Sequence, residues 1–86
     1  MFSPFSVNGC SLELLRTGER GIVTFCKSQD ETILKKLISI GVTPGTIITL
    51  EQNFPSFLIK IENTSLALDT ESIQAIYVRI IDNLTN

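Results

Sequence analysis

Catalysis near neutral pH needs a nucleophile, a general base or a metal ligand, and this chain of 86 residues is poor in all three. It contains no histidine, so the commonest acid–base group and metal ligand is missing. Its two cysteines, Cys10 and Cys26, stand apart with no C-x-x-C spacing and no neighbouring base, which supports neither a thiol nucleophile nor a zinc site. They read as reduced thiols, with Cys26 a small core-facing residue; a single disulfide is the other state open to them. No serine sits in a G-x-S-x-G elbow, and no P-loop or G-x-G-x-x-G is present. The carboxylates cluster twice, at Asp30-Glu31 and at Asp69/Glu71. Both clusters suit the positive end of a helix. The functional alternative, a weak cation site on Asp69 and Glu71, has too few oxygen ligands to bind well. The expectation is a protein that is not an enzyme, with no catalytic residue, no cofactor and no metal ligand.

Charge narrows the partners. The formal net charge is −2, and the seven cations are scattered, with only Lys35 and Lys36 adjacent. Nucleic-acid binders carry a basic footprint that releases counterions, and none is visible here. Hydrophobic residues make up 43% and charged residues 19%, a balance that excludes a disordered chain. The N-terminus has no basic start and no apolar run, so no signal peptide is expected, and no segment is long enough for a membrane span. These features predict a cytoplasmic protein with no direct membrane insertion.

The elements follow from periodicity and turn chemistry. One domain is expected over 11–81, after an irregular segment 1–10 and before a fraying tail 82–86. Ser11 can cap one helical turn carrying Leu12 and Leu15. A first strand is predicted over 21–27, with Ile22, Thr24 and Cys26 on one face and Val23, Phe25 and Lys27 on the other. Ser28-Gln29-Asp30-Glu31 matches a capping box and opens a helix over 30–40. Its apolar stripe is Ile33, Leu34, Leu37, Ile38 and Ile40, and Gly41 ends it. Pro44-Gly45 is a type II turn signal. Strands are predicted over 46–52, 57–62 and 65–69, with a hairpin turn at Asn63-Thr64. A short turn opened by Asp69 carries Ile73, and a last strand spans 75–81. Closely spaced short strands suggest a mainly β fold: a small five-stranded antiparallel barrel of the SH3-like kind, with one α-helix inserted after the first strand.

The sequence then resembles a known family. Leu12-x-x-Leu15-x-x-Gly18-Glu19-x-Gly21-x-Val23 is followed by Leu37-x-x-Ile40-Gly41-Val42-x-Pro44-Gly45, by Leu66-Ala67-Leu68 and by Ala75-x-x-x-Val78. This series is similar to the FeoA family of small accessory proteins of bacterial ferrous-iron transport. The resemblance implies an SH3-like barrel and a protein partner: FeoB, the membrane permease with a cytoplasmic GTP-binding domain. It also implies a modulator of transport, held at the inner membrane through that partner. Candidate partner-binding residues are Gly41, Val42, Pro44, Gly45, Phe54 and Pro55, although Gly41 and Pro44-Gly45 would be needed by helix end and turn in any case. The competing class is a nucleic-acid-binding or transcription-associated barrel. Self-association to a homo-oligomer through Phe54, Leu58 or the N-terminal phenylalanines is a further expectation.

Overall fold

The computed structural model describes residues 9–81. The expectations for residues 1–8 and for the tail 82–86 lie outside the described residues. In chain order the elements are β1 (Cys10–Ser11), a 3-10 turn (Leu12–Leu14), β2 (Arg20–Cys26), α1 (Glu31–Ser39), β3 (Ile47–Gln52), β4 (Phe57–Ile61), β5 (Thr64–Leu68), α2 (Thr70–Ala75) and β6 (Ile76–Ile81). All strand pairings are antiparallel, in the order β1-β6-β2-β3-β4-β5.

The sheet thus has six strands rather than the five expected. The extra strand is two residues long, with Cys10 opposite Val78 and Ser11 opposite Tyr77. A pair of residues is too short to show a period of two, so no pattern could announce it. Cys10 accordingly belongs to the sheet and not to an irregular segment, and α1 follows the second strand instead of the first. A second helix, α2, stands where one short turn was expected, and it includes Ala75. No ladder joins β1 to β5 among the described residues, so the sheet curls around its core and keeps two edges.

The core is built by alternation. Val23, Ile48, Leu50, Ile59, Ile61, Ile76 and Val78 face inward from the strands, joined by Leu12, Leu15, Leu37, Val42 and Ile73. Two β-bulges bend the sheet, one between Val23 and Phe25 and one between Leu50 and Gln52. The first explains why the sequence of β2 is apolar on both faces. The extra residue changes the phase of the strand, so Phe25 pairs with Tyr77 on the outer face while Cys26 packs on the core. The expected grouping of Cys26 with Ile22 is therefore wrong beyond the bulge.

Helix α1 is capped by Asp30, whose Oδ1 accepts the Thr32 amide at 2.9 Å. Ser28 does not cap the helix as expected; its hydroxyl accepts the Asp30 amide at 3.0 Å and shapes the turn before it. Only Leu37 is wholly buried, which contributes about 1.5–3 kcal/mol. Ile33 and Ile40 pack partly against the core. Ile38, expected in the docked stripe, is 63% exposed. It lies about 100° around the helix from Leu37, and so falls off the side that meets the sheet. Gly41 ends the helix at φ +98°.

Candidate protein-docking surface

The residues of the sequence signature build one joint. Leu12, Leu15, Leu37 and Val42 are in the core. The Glu19 carboxylate accepts the Arg16 amide at 2.6 Å, and the Gly18 amide donates to the Leu50 carbonyl at 2.6 Å. Thr46 donates its amide to the Thr43 carbonyl at 3.0 Å, closing the turn in which Pro44 is second and Gly45, at φ +95°, is third. That is the type II turn the sequence announces, and only glycine enters its third position without strain. Gly45 then donates to the Val23 carbonyl and Val23 to the Thr46 carbonyl, each at 2.8 Å, so the turn locks β2 to the start of β3.

The six candidate residues are not brought together. Gly41, Pro44 and Gly45 are exposed before the start of β3. Val42, 1% exposed, is a core residue; it supports the turn and offers no surface. Phe54, 82% exposed, and Pro55 follow the other end of β3, joined by a cis peptide bond. The length of β3 puts about 20 Å between the two groups. One partner segment would have to run the whole strand to touch both.

What lies along that strand is a surface that sequence reasoning missed. On the outer face Ile47 stands opposite Ile22, and Ile22 opposite Arg79, in one row across β3, β2 and β6. The next row carries Lys60, Thr49, Arg20 and Ile81 across β4, β3, β2 and β6. Beyond Ile22, the rings of Phe25 and Tyr77 stack with centroids 4.7 Å apart. Phe25 is 47% and Ile47 45% exposed, well above what strand residues with a covered face show. A shallow depression of about 500 Å³ lies between Arg20, Gly45, Ile47, Lys60 and Glu62, so the Gly45 turn forms its rim. The signal was available: alternation that leaves isoleucine on both sides of a strand marks a second apolar face. It was obscured because the bulge in β2 shifts the alternation midway.

The chemistry-bearing groups are occupied elsewhere. Asp69 caps α2, accepting the Ser72 amide at 3.3 Å, and pairs with Lys36 Nζ at 3.4 Å. Its carboxyl is held below the usual range, first by the Ser72 side chain beside it and then by Lys36. The buried Ser72 hydroxyl attracts that carboxylate without reaching hydrogen-bond geometry. Cys10 and Cys26 flank β6 on opposite sides, opposite Val78 and Ile76. Two strand spacings, about 10 Å, exceed disulfide reach. Both are free thiols, pushed up in pKa by burial, Cys10 also by Glu19. Among the described residues no three potential ligands gather to hold a metal, and no helix is long and apolar enough to cross a membrane.

With this geometry in place, comparison with known proteins is informative. The model of the FeoA domain family matches residues 10–80. The Fe(2+) transport protein A of Leptolyngbya boryana is 38% identical over 77 residues, which cover 88% of this chain and 94% of that protein. A crystal structure of the iron uptake regulatory protein FeoA is similar with a TM-score of 0.77 at 24% identity, over 86% of this chain and all, 100%, of that one. FeoA of Stenotrophomonas maltophilia, crystallised with zinc and described as a prokaryotic SH3-domain protein, gives a TM-score of 0.72 at 17% identity, over 80% of this chain and 88% of that one. The structural likenesses establish an SH3-like fold, and the sequence match over nearly all of the described residues establishes more: the chain belongs to the FeoA domain family.

Proposed function

We propose that this protein is a cytoplasmic accessory protein of bacterial ferrous-iron transport that works by binding the cytoplasmic GTP-binding part of a FeoB-type membrane permease. The observation that carries the proposal is the near full-length kinship with a Fe(2+) transport protein A, 38% identical over 94% of its length. The outer sheet face supports it. Exposed Ile47 and Phe25 beside a rigid, doubly locked turn offer apolar area to a macromolecule, and a depression this shallow is unsuited to enclosing a small substrate. A chain without histidine then modulates the permease by contact and performs no chemistry of its own. It sits at the inner membrane only through its partner. A net charge of −2 disfavours the nucleic-acid-binding alternative.

The test is a pull-down of the purified permease cytoplasmic domain on immobilised protein. Retention with a Kd of tens of micromolar, roughly, or tighter is expected, since transient accessory contacts fall in that range. Retention no greater than on a blank matrix at those concentrations overturns the proposal.

A further inference from the structure

Arg20 and Arg79 both flank Ile22 on the outer face, one two positions along β2 and the other directly opposite on β6. Strand geometry sets them about 8 Å apart along a diagonal. Among the described residues neither has a carboxylate partner, the ion pair there joining Lys36 to Asp69. The acids nearest this face are on the β4 side: Glu62, which lines the same depression as Arg20 without pairing with it, and Glu51, whose Oε1 accepts the Ser65 hydroxyl at 2.8 Å. So the β2–β6 half of the face is apolar and positive in a molecule that is negative overall. Surface cations facing acids of their own molecule need no explanation. Two guanidinium groups around half-buried Ile22 and exposed Ile47 are built for planar carboxylates set among apolar side chains.

Resting on the reading of the chain as an interaction module, we propose that the outer face of β6, β2 and β3 docks an acidic, apolar segment of a protein partner. Its carboxylates meet Arg20 and Arg79, and its apolar side chains cover Ile22 and Ile47. Alternate residues of an extended segment repeat about every 7 Å, which matches the spacing of the two arginines. An extended acidic segment lying across the strands also reaches the Phe25–Tyr77 stack with one further side chain. A nucleic acid fits less well: Arg20, Arg79 and the adjoining Lys60 neutralise few phosphates, and the net charge of −2 opposes it. A second copy of this chain is the other protein able to supply carboxylates.

The experiment pairs two probes with the full chain and with the exposed double variant Arg20→Gln/Arg79→Gln, using Lys35→Glu, which lowers the charge by the same amount, as a control for net charge. The first probe is a short fluorescent peptide of the pattern Leu-Ser-Glu-Ser-Glu-Ser-Leu, which sets glutamate and leucine on one face of an extended chain, read by anisotropy, with a lysine-for-glutamate counterpart and a single-stranded RNA of similar length as competitors. The second is the permease cytoplasmic domain, read by calorimetry. Expected is peptide binding that weakens with salt, drops by about tenfold or more in the double variant, and is unchanged in the control. The lysine peptide should not bind. Absence of acidic-peptide binding, equal binding by the double variant, tighter binding of RNA at the same arginines, or concentration-dependent self-association abolished by the double variant would each overturn the proposal. Peptide binding without permease binding removes the permease as partner and leaves the surface standing. Permease binding that the double variant retains overturns the surface and leaves the permease reading standing.

Discussion

A Cβ on Gly21 would lie 2.7 Å from Cγ2 of Val78, a side chain with no exposed surface. Val78 is β-branched and has no free rotamer to move into, so the strands themselves must part. Gly21→Ala is expected to cost about 1–3 kcal/mol, seen as a lower urea midpoint at unchanged m value. A midpoint equal to that of the parent would contradict this packing. The hairpin between β4 and β5 offers the opposite case. Ile61 pairs with Thr64, so the turn residues are Glu62 and Asn63, and φ is +56° at Glu62. The sequence pointed one residue later because asparagine tolerates positive φ better than glutamate. The ladder, which aligns Ile59 and Ile61 with the core, overrode that local preference. Left-handed backbone costs an ordinary residue about 1–2 kcal/mol, and glycine loses part of this gain to chain entropy. Glu62→Gly is therefore expected to raise stability by up to about 1 kcal/mol, with a higher Tm as the readout. A lower Tm would show that the turn is not strained.

Helices α1 and α2 test the account at the scale of elements. Leu37 is the single fully buried residue of α1, and Ile38 beside it is mostly exposed. Leu37→Ala should cost about 2–5 kcal/mol, whereas Ile38→Lys should change stability by less than about 0.5 kcal/mol. Denaturant melts of the two variants separate a docked stripe five residues wide from the narrow contact seen. The α2 cap adds a pH dependence. Asp69 has a depressed carboxyl pKa, so its stabilisation is complete above the unfolded value of 3.8 and is lost as pH falls through the lower folded value. Asp69→Ala should cost about 1 kcal/mol at neutral pH through loss of the cap. The gap between the two proteins should then close below pH 3.8. Parallel melts across that range check it; a gap that persists in acid would assign the loss to packing instead. Much at this scale was legible in the sequence. Gly41 and Pro44-Gly45 dictate local backbone and stand as expected. The two-residue β1 and the phase change in β2 were not legible, because one is too short to carry a pattern and the other is set by the partner strand.

At the scale of the whole molecule, the most recognisable residues turn out to be those that hold the fold. Gly18, Glu19, Gly21 and Gly45 lock β2 to β3 and to β6, Gly41 ends α1, and only Gly45 reaches the rim of the outer face. The signature therefore identified the family without marking the surface. Residues such as Ile22, Ile47 and Arg79 belong to three separate strands, and only the register of the sheet makes them neighbours. Phe54-Pro55 is exposed but lies a strand's length from the Gly45 turn. The most direct test is to titrate the isotopically labelled chain with the permease cytoplasmic domain and follow its backbone amides by NMR. The account predicts shifts concentrated in residues 20–25, 45–49 and 77–81, with little change at Phe54. Shifts centred on Phe54-Pro55, or none at saturating permease domain, would contradict it.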